Sequence, residues 1–241
     1  LLMHALEDPV SRELFSAYHS TANPFMFLRN LFGLLVLIGL GMAIYRRRAS
    51  RTLRRITTRA DRIAIALLLV IMASGFLLEG AKIISPSVFA SMLRDYSGYS
   101  MANGDSDPIK TYWQANYGVV FPGEDLPETP EMMEQGKFMH VNYCAYCHAR
   151  PQWAFVSYPV SRVMQPAAGL FDRVRMDVFL WYVHFLACFI GLALLPFTKF
   201  FHVITTPLSL LVKSAGPPAR GENADRLNRR AMELDACTSC G

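Results

Sequence analysis

The signatures of hydrolysis and phosphoryl transfer are missing from this chain. It holds no glycine-rich phosphate loop, no Ser/His/Asp set and no HExxH. Cysteine is scarce, with five in 241 residues. They fall as two CxxC pairs, Cys144/Cys147 and Cys237/Cys240, and a single Cys188. That distribution is not a disulfide framework, and Cys188, inside an apolar run, reads as a small buried apolar residue. Acidic residues are also few, 19 against 24 Lys and Arg, for a net charge of +5. A basic balance can signal nucleic acid. Here the arginines cluster beside apolar runs, so membrane topology explains them and no nucleic-acid partner is expected.

What the chain has is hydrophobicity, 52% of its residues. A stretch from Phe25 to Tyr45 is long enough to span a bilayer and ends in RRRASRTLRRITTRADR, which holds eight arginines and one acid. The positive-inside rule puts that loop in the cytoplasm; membrane lipid is the expected surrounding. A second span runs from Ile63 to Ile84, with Glu79 and Lys82 near its outer end. Charges there are costly unless they snorkel or face a cavity, which makes Glu79 a candidate proton-handling group at a quinone pocket and Lys82 its neighbour. Residues 85–173 are then extracytoplasmic and too long for an ordinary loop. The chain begins inside an apolar run and stops within a cysteine motif, and is expected to be an internal piece of a longer protein.

The third stretch, Asp177 to Pro207, carries His184 and His202, 18 residues apart. On one continuous helix, at ~100° per residue, that is about five turns and a rise of roughly 27 Å, so both imidazoles share a face at two depths. Two haems in one bilayer, as in a cytochrome b, need this arrangement. The bland alternative is a pair of hydrogen-bonded polar residues. Pro196 lies between the two and is expected to kink the helix.

Cys144-Ala145-Tyr146-Cys147-His148 is the CxxCH pattern of c-type haem attachment, with two thioether sulfurs and an adjacent axial histidine. Zinc or a redox dithiol is the competing reading. Candidates for the second axial ligand are Met164, Met139 and His140, and Met164 is taken for the assignment. Cys237-Thr238-Ser239-Cys240-Gly241 fits half of a zinc knuckle, a dithiol or a [4Fe–4S] site.

At HFLACFIGLALLPFTKFFHVITTP the chain resembles the gamma-subunit-like membrane cytochrome b family of respiratory nitrate reductases, with Pro196-Phe197-Thr198-Lys199 just before the second histidine. ELDACTSCG and FLLEGAKI are similar to the branch fused to or paired with heterodisulfide-reductase-like iron–sulfur domains. The resemblance spans about 1–83 and 174–241. It implies two b haems: an outer one between His4 and His184, and an inner one between His202 and a residue before Leu1. It also implies at least one [4Fe–4S] cluster at Cys237 and Cys240. The CAYCH insertion departs from the family pattern.

The expected fold is an all-α membrane helix bundle. It divides into a cytochrome b part (1–83), an extracytoplasmic c-haem insertion (84–173), a haem-ligating transmembrane helix (174–212), and a cytoplasmic linker with the start of a ferredoxin-like iron–sulfur domain (213–241). The expected function is a quinone-reactive electron-transfer subunit of a respiratory oxidoreductase in a bacterial or archaeal cytoplasmic membrane, multi-pass, with its C-terminal part cytoplasmic. It would join a quinone pool or periplasmic carrier to the cytoplasmic cluster through two b haems and one c haem. Partners would be iron–sulfur or flavoprotein redox subunits and periplasmic multihaem cytochromes. Two alternatives stand beside it: a quinone-independent conduit from periplasmic cytochromes to a cytoplasmic reductase, and a non-redox membrane protein with zinc in its CxxC sites.

Overall fold

The structure is a computed structural model that describes residues 21, 24–96, 106–198 and 201–214. His4, Cys237 and Cys240 lie outside the described residues; for His202 the backbone is described and the side chain is not. In chain order the helices are α1 (Phe25–Ala49), α2 (Arg51–Ile56), α3 (Arg59–Ile84), α4 (Pro86–Tyr96), α5 (Asp107–Tyr117), α6 (Pro130–Tyr143), α7 (Ser157–Met164), α8 (Ala168–Arg173), α9 (Met176–Leu194) and α10 (His202–Ser214), with 3-10 turns at Pro151–Trp153, Gln165–Ala167 and Leu195–Phe197. Among the described residues there is no strand. The expected all-α membrane fold stands: α1, α3 and the run Met176–Phe197 are each long and apolar enough to cross a membrane.

Local chemistry sets the helix ends. Arg46, Arg47 and Arg48 fill the last turn of α1, where cations complement the helix dipole. Ser50 turns extended (ψ 121°) and its hydroxyl accepts from Leu53 N, which caps α2. Thr58 and Asp61 cap α3 reciprocally: Asp61 Oδ2 accepts from Thr58 N at 2.9 Å and Thr58 Oγ1 from Asp61 N at 3.2 Å.

The third span departs from the expected single helix. α9 stops at Leu194, a 3-10 turn takes Leu195–Phe197, and Thr198 is extended at φ −118°, ψ 164°. Pro196 is the physical reason. It has no N–H to give the carbonyl one turn back, and its ring collides with that turn. A new helix, α10, begins at His202 itself. His184 and His202 thus lie on different helices, and the five-turn argument for a shared face does not apply.

The chain forms two units, residues 1–38 with 72–184 and residues 39–71 with 185–241. In the first, the insertion has a core of its own: Phe89 and Leu93 from α4, Ile109, Trp113 and Tyr117 from α5, then Val119, Phe121, Leu126 and Cys144. α5 and α6 cross at Gly136, where an added Cβ would lie 2.1 Å from the Pro108 carbonyl oxygen, so only glycine permits the approach. In the second, an apolar groove of about 290 Å³ lies between α3 and α9, lined by residues that include Leu67, Ile71, Cys188 and Leu192. Cys188 is exposed there rather than buried, so its expected place in a core is corrected. An apolar helix face that meets lipid need not be covered by protein.

Candidate haem and electron-transfer sites

His184 projects from the middle of α9 toward two consecutive small residues of α3. Its Nδ1 is 3.1 Å from Ser74 Oγ. Its ring lies over Gly75, where an added Cβ would come within 3.1 Å of Cε1. When Nδ1–H donates to the serine hydroxyl, Nε2 carries the lone pair that an iron ligand requires. A half-buried imidazole oriented in this way within an apolar span suits haem b ligation. Ser74 and Gly75 were not singled out in the sequence, although a Ser-Gly step inside ALLLVIMASGFLL is a recognisable close-approach signal.

The CAYCH segment is a tight turn built on the end of α6. Cys144 N and Ala145 N both donate to the His140 carbonyl, at 2.8 and 2.9 Å, while Cys147 N and His148 N donate to the Cys144 carbonyl, at 3.1 and 3.0 Å. Thr21 clamps the turn from far back in the chain: its hydroxyl donates to Cys147 O at 2.6 Å and its carbonyl accepts from Ala149 N at 2.9 Å. Cys144 is buried in the insertion core, and the edge of Trp113 meets the His148 ring at 5.4 Å between centroids. The turn therefore fixes the backbone of Cys144, Cys147 and His148 beside Trp113, and a CxxCH spacing held in this way fits a covalently attached haem.

The competing readings of the turn fit less well. Burial, with Cys147 as neighbour, pushes the Cys144 thiol up to about 11, and burial raises Cys147 as well, so neither is the ready thiolate of a redox dithiol. Among the described residues no group of three or more His, Cys, Asp or Glu comes together as a metal-holding set. His140, a natural fourth zinc ligand, has Nε2 bound to the Tyr117 hydroxyl at 2.8 Å.

Of the sixth-ligand candidates, Met164 rests its sulfur against Gly80 of α3, 3.4 Å from where a Cβ would stand. Its thioether is used there in helix packing. Met139 packs against the insertion core that contains Cys144. His140 is buried; Nδ1 has no hydrogen-bond partner among the described residues.

Glu79 is tied into a polar knot. Arg29 and Asn30 of α1 both donate to it, Asn30 at 3.0 Å, and the Ser157 hydroxyl donates at 2.6 Å. Asn30 Oδ1 accepts from Val156 N and Ser157 N, both at 3.1 Å, at the start of α7. Asn30 and Ser157 are fully buried. The knot joins α1, α3 and the insertion, and Phe27 adds ring contacts to Trp153 and Phe155. Lys82, the other quinone-site candidate, is exposed. Asn30 was missed in the sequence; a polar side chain in FLRNLF at membrane depth is the signal that would have found it.

Three apolar helices and a histidine seated between two of them define a multi-pass all-α membrane protein. Residues 10–95 match the family described as the nitrate reductase gamma subunit. The match covers α1 to α3 and nearly all of α4, somewhat over a third of the chain, and supports a membrane cytochrome b and a membrane electron-transfer role for an oxidoreductase subunit. His184, CAYCH and His202 lie outside the matched residues. Neither a curated protein nor a solved structure matches the chain.

Proposed function

We propose that this chain is the membrane electron-transfer subunit of a respiratory oxidoreductase, with b haems in its spans and a c haem on its insertion. The observation that carries the reading is the seating of His184, with Gly75 beneath the ring and Ser74 on Nδ1. Haem iron, when bound, supplies a reversible one-electron couple. The chain's own residues do the rest. His184 would hold a b haem through a ring nitrogen, with Ser74 setting its tautomer and rotation. Cys144 and Cys147 would supply the sulfurs for covalent attachment and His148 an iron-binding nitrogen, with Trp113 against that ring. His4 would pair with His184 at the outer haem and His202 would offer one ligand to the inner haem, while Met164 would serve as sixth ligand of the c haem once α7 releases its sulfur from Gly80. Cys237 and Cys240 begin a [4Fe–4S] site on the cytoplasmic side, where an iron–sulfur or flavoprotein subunit would dock. The insertion faces the opposite side, toward periplasmic multihaem cytochromes.

Quinone is the substrate of this reading, met near Lys82. The Glu79 knot favours a second reading. A carboxylate that already accepts from Arg29, Asn30 and Ser157 is poorly placed to take a quinol proton, as a quinone-independent conduit would have it. Inhibition of electron transfer by a quinone analogue decides for the first; indifference decides for the second.

The test of the proposal is a reduced-minus-oxidised spectrum of the purified chain, with haem quantified before and after acid–acetone extraction. Extractable haem together with one covalent haem per chain is the expected result. No haem in a haem-replete, intact preparation overturns it.

A further inference from the structure

We propose that the bend between α1 and α2 is a binding site for an anionic phospholipid. The two helices meet at Ser50 and enclose an open groove of about 530 Å³, lined by Tyr45, Arg46, Ala49, Ser50, Thr52, Leu53 and Ile56. Part of the lining is apolar and uncovered, with Ile56 45% exposed. The lining also includes the polar side chains of Tyr45, 72% exposed, and Arg46. The groove opens where the apolar run of α1 ends, so its apolar lining, Leu53 and Ile56, suits chain methylenes and its polar lining, Tyr45 and Arg46, suits a phosphate headgroup.

Charge complementarity selects the lipid. Residues 46–62 carry eight arginines and one acid, and that acid, Asp61, is buried and capping α3. Two of the arginines cap carbonyls, Arg47 on Ala43 O and Arg54 on Arg48 O. Among the described residues no ion pair involves any of the eight. Topology alone would be satisfied by a basic loop of any shape. A basic loop folded into a short interfacial helix around an apolar-floored groove is a receptor for a negative headgroup on two chains.

The proposal is independent of any haem. It is tested on the full purified chain by native mass spectrometry and thermal melting, with phosphatidylglycerol and phosphatidylcholine as the probes. Phosphatidylglycerol should be retained and should raise the melting temperature; phosphatidylcholine should do neither. Arg46→Gln should weaken retention about fivefold, the effect of one arginine near an anionic lipid. Ala49→Phe fills the groove without a change of charge and should abolish retention. Arg59→Gln, outside the groove, should have less effect than Arg46→Gln. Each variant keeps at least seven of the loop's arginines, so its insertion topology is unchanged. Equal retention of the two lipids overturns the proposal. So does full retention by Ala49→Phe, or an Arg59→Gln effect equal to that of Arg46→Gln.

Discussion

Ser74 on α3 meets His184 on α9, hydroxyl to Nδ1, at 3.1 Å, and the next residue, Gly75, lies beneath the same ring. The pair fixes one imidazole by two independent means, a hydrogen bond and the absence of a side chain. Their loss should have separable effects. Ser74→Ala keeps the space and removes the orienting group, so haem b affinity should fall about 10–100-fold while the fold is unchanged. Gly75→Val drives a branched side chain into Cε1 and should eliminate the haem proposed at His184, as should His184→Ala. Extractable haem per chain, measured across the three variants, checks this; unchanged haem in His184→Ala would remove that residue from the ligand set.

Asn30 should matter more for architecture than for electron flow. It is fully buried, donates to Glu79 and accepts from the amides of Val156 and Ser157 at the start of α7. Asn30→Ala removes the acceptor of the Val156 and Ser157 N–H groups, at about 1–3 kcal/mol for each group left unsatisfied, and leaves Glu79 Oε2 with the Ser157 hydroxyl alone. The insertion should loosen from the spans. Faster proteolysis within 106–173, with haem b retained, is the expected outcome. If proteolysis and melting temperature both match the parent, the knot is not what holds the insertion.

What could be read from the sequence follows the range of the forces involved. Spans, arginine loop and the CxxCH turn are set by short-range pattern, so their place in the chain was legible. Pro196 was visible too, yet its consequence was underestimated: a kink was expected and the helix instead ends and restarts at His202. The partners of His184, Glu79 and CAYCH were not legible, because Ser74 is 110 residues from His184, Ser157 is 78 from Glu79 and Thr21 is 126 from Cys147. Each is a small polar residue that acquires its role only when a distant helix arrives. A Ser-Gly step marks Ser74 as a point of close approach, but no period or motif tells which distant helix will meet it.

Asp172 links α8 to the start of α4 and should give the insertion a defined acid limit. Its Oδ1 accepts from the Ser85 hydroxyl and Ser87 N, and its Oδ2 from the Ser87 hydroxyl. Burial alone would raise this carboxyl, but the two hydroxyls, the amide and nearby Arg175 outweigh it and hold the carboxyl below its usual value. A depressed folded-state pKa stabilises the fold above the unfolded value, near 3.9, and that contribution is lost as pH falls through the lower folded value. Melting temperature should therefore be flat at neutral pH and fall below about pH 4. Asp172→Asn should lower the neutral value and flatten the acid limb; an acid limb as steep as the parent's would assign it to other carboxylates.

Gly136 gives the sharpest test of whether the insertion must fold for the CAYCH turn to form. A Cβ there would stand 2.1 Å from the Pro108 carbonyl oxygen and 2.6 Å from Tyr112 Cβ. The clash is with backbone, so no rotamer change relieves it. Alanine improves helix propensity by up to about 1 kcal/mol, but forced separation of packed helices costs roughly 1–3 kcal/mol or more. α6 ends in the residue before Cys144, and its His140 carbonyl receives the first two amides of the turn. Displacement of α6 therefore displaces the sulfurs. Gly136→Ala should lower covalent haem per chain and leave extractable haem unchanged, whereas Gly41→Ala, with nothing within 4 Å of its Cβ position, should change neither. If Gly136→Ala carries full covalent haem, attachment does not depend on the α5/α6 crossing, and the turn alone is sufficient.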